Sequence, residues 1–220
     1  MVEGVSVAYA EPTTLSCELS SGRWGTDLVS ADPIDSRSSA DLDDYTYVPL
    51  RRGDIEALRQ FRNAQLDVLR QAAPISIEQQ ERWYDEVVAP TQRESQPSMM
   101  LVSILAEGDD FIGYGGLTNI DWTSRRAEVS FLVDPERAHA PDAYRRDMRA
   151  FLEFLKRWGF GELGFNRLFT ETYAFRESHI AILEQAGFTL EGRLRQHVLT
   201  GGELMDSIMH GLLSTDWRGQ

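Results

Sequence analysis

The chain has 220 residues, 42% of them hydrophobic, and a formal net charge of -13 at pH 7. This length suffices for one well-buried core and is too short for two ordinary enzyme domains. The acidic balance argues against general binding to DNA or RNA, because neutralising phosphates requires a basic surface. No apolar run reaches the ~20 residues that span a bilayer, and the start of the chain lacks a secretory signal pattern, so we expect a soluble, cytoplasmic protein with no membrane partner.

Residues 1–44 differ from the rest of the chain in composition. Acidic, serine and glycine residues are frequent there and apolar periodicity is weak. A lone Cys17 cannot form an internal disulfide, which agrees with a reducing compartment. We therefore expect an acidic N-terminal extension over residues 1–44, one domain over residues 45–214 and a short tail over residues 215–220.

The first part of the domain predicts a strand and two helices. Tyr45 to Leu50 has extended character, and a helical pattern opens at Asp54. Pro74 then breaks the chain. Ser76 and Gln79 have the spacing of a capping box, which predicts a second helix that ends before Pro90.

Three successive strands and a long helix are predicted next. The strands cover Met99–Ala106, Phe111–Asn119 and Arg126–Val133, with turn residues between them. The helix carries one apolar face, formed by Tyr144, Met148, Phe151, Leu152 and Leu155.

The C-terminal part reads as strand, helix and hairpin. Leu168 to Tyr173 alternates as a strand does, and Ser178 is a candidate N-cap for a helix that ends at Gly187. Two further strands then flank the turn Thr200–Gly202, and the last of them covers Leu204–Leu213.

This order of elements resembles the GNAT superfamily of acyltransferases over roughly residues 45–213. Three segments look closest to members that act in amino-sugar and nucleotide-sugar pathways, of the pseudaminic-acid type: FRNAQLDVLRQ from Phe61, ISIEQQERWY from Ile75 and IGYGGLTNIDW from Ile112. The resemblance implies an α/β fold with a mixed, largely antiparallel, splayed sheet flanked by helices. It also implies acetyl-CoA as the acyl donor and a primary amine of a small molecule as the acceptor, with an amino-sugar linked to a nucleotide as the leading candidate.

In this family the pantetheine arm of CoA inserts between two splayed strands. The matching positions are Phe131, Leu132 and Val133 on the first strand, opposite Thr172 and Tyr173 on its neighbour. Orientation of the two reactants alone can supply about 7 to 11 kcal/mol of the barrier, so the chemistry needs few catalytic groups.

Glu128 is the candidate base. It lies near the start of the first splayed strand, where a carboxylate could accept the proton of the amine directly or through water. The structural alternative is an ion pair with Arg125 or Arg126. Glu171, on the adjacent strand, is a rival base for which a structural role is favoured.

The expected diphosphate loop departs from the family pattern. Residues 136–144 read ERAHAPDAY and contain no glycine, Pro141 lacks an N–H donor, and Asp142 adds a negative charge. Side chains could replace the missing backbone donors, and the basic candidates are Arg137, Arg145, Arg146 and Arg149. The alternative is a solvated helix face that these arginines share with Asp147 and Glu153.

The proton donor for the leaving thiolate also departs from the pattern. Arg176 stands where many relatives carry asparagine, and we count it among the CoA-binding residues, while Leu183 stands where a tyrosine acid commonly lies. His179 is a candidate donor because imidazole titrates near neutrality, and Tyr173 is another. A capping or surface histidine and a packed tyrosine are the alternatives.

Four residues on the predicted first two helices are candidates for the acceptor site: Arg62, Asn63, Arg70 and Trp83. Cations suit an anionic nucleotide-sugar, and an aromatic ring can cover a sugar or base. An alternative anion site is Arg193, Arg195 and His197. We find no spacing typical of metal ligands. The sequence leaves open whether the protein forms a homodimer.

Two other functions remain alongside the leading one. Acetylation of protein N-termini would suit the acidic charge, because acidic surfaces attract basic peptides. A GNAT-shaped binding or scaffold protein that has lost acetyl-CoA use would explain the glycine-free segment and the missing tyrosine.

Overall fold

The computed structural model describes residues 44–217, so the predictions for residues 1–43, including Cys17, and for residues 218–220 lie outside it. Seven strands are present in this range: β1 Thr46–Pro49, β2 Met100–Ala106, β3 Asp110–Asp121, β4 Arg126–Val133, β5 Arg167–Tyr173, β6 Thr189–Thr200 and β7 Glu203–Leu213. The α-helices of the same range are α1 Ile55–Ala64, α2 Ile77–Trp83, α3 Ala89–Thr91, α4 Pro135–His139, α5 Pro141–Lys156 and α6 Glu177–Gln185. Each helix between residues 44 and 217 is too short or too polar to cross a bilayer.

The strands form one sheet in the order β1-β2-β3-β4-β5-β7-β6. Neighbouring strands are antiparallel except β4 and β5, which run parallel because α4 and α5 carry the chain back across the sheet between them. The mixed, largely antiparallel sheet flanked by helices is therefore confirmed.

The β4–β5 pair separates along its length. Its register begins at Arg126 opposite Arg167 and ends at Glu128 opposite Phe169. Beyond that point β4 stays paired with β3 up to Val133, and β5 stays paired with β7 up to Tyr173. Residues 129–133 and 170–173 therefore face each other across an opening in the middle of the sheet.

The main core lies between the sheet and α5. The predicted apolar face of this helix is confirmed, because Met148, Phe151, Leu152 and Leu155 are at most 1% exposed. Phe151 packs against Phe131 with ring centroids 5.0 Å apart, which ties the helix to the open part of β4. Burial of these side chains fixes α5 beside the opening.

The opposite face of the sheet is covered by α1 and α2. Leu58 of α1 and Leu101 of β2 belong to a second buried cluster there. The predicted capping box of α2 is present, since Ser76 Oγ accepts from Gln79 N–H and Gln79 Oε1 accepts from Ser76 N–H. The helical path continues through a wide π-helical turn at Tyr84–Val88 into α3, so it passes Pro90 instead of ending before it.

Two further local predictions are corrected. The expected diphosphate loop at residues 136–144 is the short helix α4 followed directly by the first turn of α5. Pro141 is the first residue of α5, where its missing N–H costs no helical hydrogen bond. Ser178 lies inside α6, whose N-cap is Arg176, because the helix starts two residues earlier than its apolar pattern suggested.

The C-terminal hairpin is confirmed. Gly187 follows α6 with φ +95°, a conformation that glycine adopts without strain. Gly201 and Gly202, both with positive φ, then turn β6 into β7.

Candidate active site

A cavity of about 260 Å³, the central cavity, occupies the opening between β4 and β5. Its walls include Ser130 and Phe131 of β4 and Thr172 and Tyr173 of β5. Leu132 and Val133 are buried in the sheet instead of bordering the cavity. Their backbone lies on the unpaired stretch of β4, so its polar groups on the β5 side have no partner strand.

Glu128 lies where the opening begins, with 9% of its surface exposed. Asn119 Nδ2 donates to its Oε2 at 2.5 Å, and Arg70 Nη2 donates to its Oε1 at 3.1 Å. The structural alternative from sequence, a partner at Arg125 or Arg126, is therefore replaced by a partner from the loop after α1. Glu128 borders the central cavity and is placed to accept a proton from a group bound there.

A local irregularity of β3 brings Asn119 to Glu128. The register of β3 against β4 shifts between Thr118 and Asp121, and Asn119 has φ +47°. Such bulges re-aim a side chain, and asparagine tolerates the left-handed conformation better than most residues. Sequence reasoning missed Asn119, although Asn in a strand pattern just before a turn is a signal for a bulge.

Arg70 joins two carboxylates across the opening. Its Nη2 lies 3.1 Å from Glu128 Oε1 on β4 and 2.9 Å from Glu171 Oε2 on β5. His197 Nε2 lies 3.7 Å from the other oxygen of Glu171. One guanidinium thus neutralises one of two neighbouring negative charges at the mouth of the cavity.

A second group of polar side chains lies where α5 and α6 meet the opening. Arg176 Nη2 donates to the Tyr144 hydroxyl at 2.8 Å, and that hydroxyl lies 2.6 Å from His179 Nδ1. Burial, then Arg176, lowers the pKa of His179 well below its usual value, so the imidazole is neutral. Burial raises the pKa of Tyr144 despite the opposing effect of Arg176, so the phenol keeps its proton. Sequence reasoning assigned Tyr144 only to the apolar face of α5.

A cavity of about 480 Å³, the helix cavity, lies between the start of α5 and α6. Arg145, Arg176 and Pro141 border it. The first N–H groups of a helix have no acceptor within it and favour anions. The helix cavity could therefore hold a diphosphate without a glycine loop, with Arg145 and Arg176 as the cations.

The remaining arginines of the predicted basic cluster lie elsewhere. Arg137 forms a two-pronged ion pair with Asp147, with both N–O distances 2.7 Å. Asp147 is fully buried and also accepts from the Tyr45 hydroxyl, which corrects the expectation of a solvated position. Arg146 donates to the same hydroxyl at 3.3 Å. Arg149 is exposed and borders neither the central cavity nor the helix cavity.

A third cavity of about 980 Å³, the hairpin groove, lies between residues 66–72 and the tip of the β6–β7 hairpin. It shares Leu69, Arg70 and Tyr173 with the central cavity, so the two are adjacent. Apolar side chains such as Phe175 and Leu199 line it together with the charged Asp67 and Glu203.

The predicted acceptor residues are only partly brought together. Arg62 and Arg70 border the central cavity. Asn63 instead exchanges hydrogen bonds with the backbone of Ile75, and Trp83 packs against the α1 face of the core, with the Arg62 guanidinium 5.9 Å from its ring centroid. Between residues 44 and 217, no group of three or more histidine, cysteine or acidic side chains has the geometry of a metal site.

The Acetyltransferase (GNAT) domain family matches residues 48–209, well over half of the chain. An uncharacterized N-acetyltransferase p20 of Bacillus licheniformis is 29% identical over 116 residues, which cover 53% of this chain and 62% of that protein. The chain thus matches about three-fifths of the length of this curated relative.

Solved structures of the spermidine/spermine N-acetyltransferase of Vibrio cholerae share the fold. One, of mutant forms, has a TM-score of 0.67 at 19% identity and covers 80% of this chain and 96% of the other. Another, in complex with CoA and spermine, has a TM-score of 0.68 at 18% identity and covers 79% of this chain and 98% of the other. With the parting of β4 and β5 and the match over residues 48–209, the chain belongs to the GNAT acetyltransferase family.

Proposed function

We propose that this protein transfers an acetyl group from acetyl-CoA to a primary amine of a small molecule, by direct attack in a ternary complex. The observation that carries the proposal is the parting of β4 and β5 at Glu128, which opens the central cavity beside a buried carboxylate. The unpaired backbone of residues 129–133 offers hydrogen bonds that the amides of the pantetheine arm can take up as an added strand would.

The acetyl donor, acetyl-CoA, enters through the helix cavity. Its diphosphate lies against the start of α5, with Arg145 and Arg176 supplying charge-assisted hydrogen bonds. Arg137 is left out of this role, because removing it from Asp147 would leave a fully buried carboxylate without its cation.

The acceptor enters from the hairpin groove and places its amine next to Glu128. The carboxylate takes a proton from the amine, directly or through water, as the nitrogen attacks the thioester carbon. Asn119 and Arg70 each donate to one carboxylate oxygen, which holds Glu128 in place at the wall of the central cavity.

An amino-sugar, attached to a nucleotide, is the first acceptor class to test. The hairpin groove is large enough for a body of that size, and Arg62 and Arg70 lie beside the amine site. A polyamine is the second class. The specific observation in its favour is that Arg70 neutralises only one charge of Glu128 and Glu171, which leaves a negative charge for an ammonium group.

The first experiment is calorimetric titration of the purified protein with acetyl-CoA. We expect micromolar binding that weakens in Arg145→Ala, with the exposed Arg149→Ala as the matched control on the same helix. Absence of binding to acetyl-CoA, CoA and a longer acyl-CoA would overturn the proposal in favour of a binding or scaffold role.

The second experiment measures release of free CoA with a panel of acceptors. The panel contains a nucleotide-linked amino-sugar, spermidine and a peptide with a free N-terminus. Arg70→Ala then separates the two classes, because losing this cation should raise the KM of an anionic acceptor and lower the KM of a cationic one. Preferred turnover of the peptide would support N-terminal acetylation instead.

A further inference from the structure

The Tyr144 hydroxyl lies at the junction of the central cavity and the helix cavity. Tyr144 borders the helix cavity, and its two hydrogen-bond partners, Arg176 and His179, border both cavities. Its ring also packs edge-on against Phe131 of the opened strand, with centroids 5.9 Å apart. An acetyl-CoA molecule that runs from the helix cavity into the opening must pass this hydroxyl.

The reaction requires an acid at this point. When the amine has attacked the thioester, the carbon–sulfur bond breaks and its electron pair goes to sulfur. A thiolate that forms beside the buried His179 is costly unless it gains a proton or a strong hydrogen bond. This requirement rests on the proposed acetyl-CoA chemistry.

We propose that Tyr144 is the proton donor to the departing thiolate, with Arg176 and His179 positioning its hydroxyl. The phenolic proton moves to sulfur and gives the free thiol of CoA. The phenolate that remains regains a proton from water after the products leave, so no oxidant, reductant or further reactant is needed.

The hydrogen bonds among Tyr144, Arg176 and His179 suit this role. Arginine can only donate, so Arg176 occupies one lone pair of the Tyr144 oxygen. A neutral His179 with its proton on Nδ1 occupies the other, which leaves the phenolic hydrogen free to point at the sulfur. The same two donors then stabilise the negative charge on the phenolate oxygen.

The other tyrosine considered as proton donor, Tyr173, lies on the side from which the acceptor enters. It borders the central cavity and the hairpin groove, whereas Tyr144 borders the helix cavity through which acetyl-CoA enters. The position of Leu183, fully buried in the core, holds no group that could donate a proton.

The test compares Tyr144→Phe with wild type using two acetyl donors. With acetyl-CoA we expect kcat to fall about 100-fold, the lower end of what a general acid supplies. With an aryl thioester such as S-(4-nitrophenyl) thioacetate, whose thiolate leaves without protonation, the loss should shrink to less than about threefold in kcat/KM, because no acid is required. Calorimetry should give an unchanged Kd for CoA.

Tyr47→Phe is the matched control. Tyr47 is a half-buried tyrosine of β1 that borders none of the three cavities, and its hydroxyl has no hydrogen-bond partner in the structure, so removing that oxygen should leave activity unchanged. Equal losses with both donors, or a raised Kd for CoA that accounts for the loss, would show that Tyr144 only shapes the site. Full activity of Tyr144→Phe with acetyl-CoA would also overturn the inference. A wild type that turns over no amine would instead overturn the proposed function on which the inference rests.

Discussion

Replacing Glu128 by glutamine isolates the proposed base from its structural role. Glutamine has the same shape, and its carbonyl oxygen can still accept from Asn119 Nδ2, which lies 2.5 Å from Glu128 Oε2. Arg70 keeps its second carboxylate, Glu171, at 2.9 Å. Half of the Arg70 side chain is exposed, so the lost ion pair should cost no more than about 1 kcal/mol of folding stability.

The effect on the rate should be much larger. A positioned general base contributes about 100-fold to 10,000-fold. At about 1.36 kcal/mol for each tenfold change, the lower bound corresponds to about 2.7 kcal/mol of transition-state stabilisation. We therefore expect kcat to fall at least about 100-fold in Glu128→Gln while the melting temperature changes little.

The assay is release of free CoA at saturating acetyl-CoA across about pH 6 to 9. Glu171→Gln is the matched control, because it also removes one carboxylate from Arg70. Its rate should fall less than about tenfold. Unchanged turnover and an unchanged pH profile in Glu128→Gln would refute the reasoning, and a larger loss in Glu171→Gln would move the role of base to Glu171.

Three further predictions concern stability. Arg137→Ala should lower the free energy of unfolding by about 3 kcal/mol or more, because it leaves the fully buried Asp147 without its cation. Denaturant unfolding measures this, and an unchanged free energy of unfolding would contradict the role of the ion pair. Because burial depresses the pKa of His179, the unfolded chain binds its proton more readily, so this contribution to stability is complete above about pH 6.5 and is lost as the pH falls below it. His179→Gln should remove this pH dependence, which amounts to at most about 1.4 kcal/mol of unfolding free energy per pH unit below about pH 6.5. Denaturant unfolding at several pH values measures it, and an identical slope in the two proteins would contradict the burial of His179. Gly115→Ala should destabilise by about 1 to 3 kcal/mol, because a Cβ there overlaps the backbone of β4, whereas Gly53→Ala, with no atom within 4 Å, should change little; equal melting temperatures would contradict this close approach.

The order of helices and strands was predictable because each element leaves a periodic pattern in a short window. The apolar stripe of α5 and the capping box of Ser76 and Gln79 are local signals, and both are present in the structure. The ends of elements were less predictable. Helix α6 begins at Glu177 without a side-chain cap, so no capping residue in the sequence indicated where it starts.

The partners of the site residues required the tertiary structure. Periodicity predicted that Glu128 lies on a strand, but its contact with Arg70 joins residues 58 positions apart. The same holds for the Tyr144 hydroxyl and His179, which are 35 positions apart. A sequence pattern assigns a side chain to a face of its own element and leaves open which other element packs there.

Composition and periodicity suffice to predict the class of fold, the acidic charge and the strand on which the candidate base lies. The tertiary structure was needed to show that β4 and β5 part after Glu128, because the opening depends on β5 following β7 while β4 follows β3. It also separated Arg137, held by the buried Asp147, from Arg145, which borders the helix cavity. Composition makes these two arginines equivalent. They differ because Arg137 pairs with a buried carboxylate, and a buried carboxylate needs a cation more than solvent-exposed groups do.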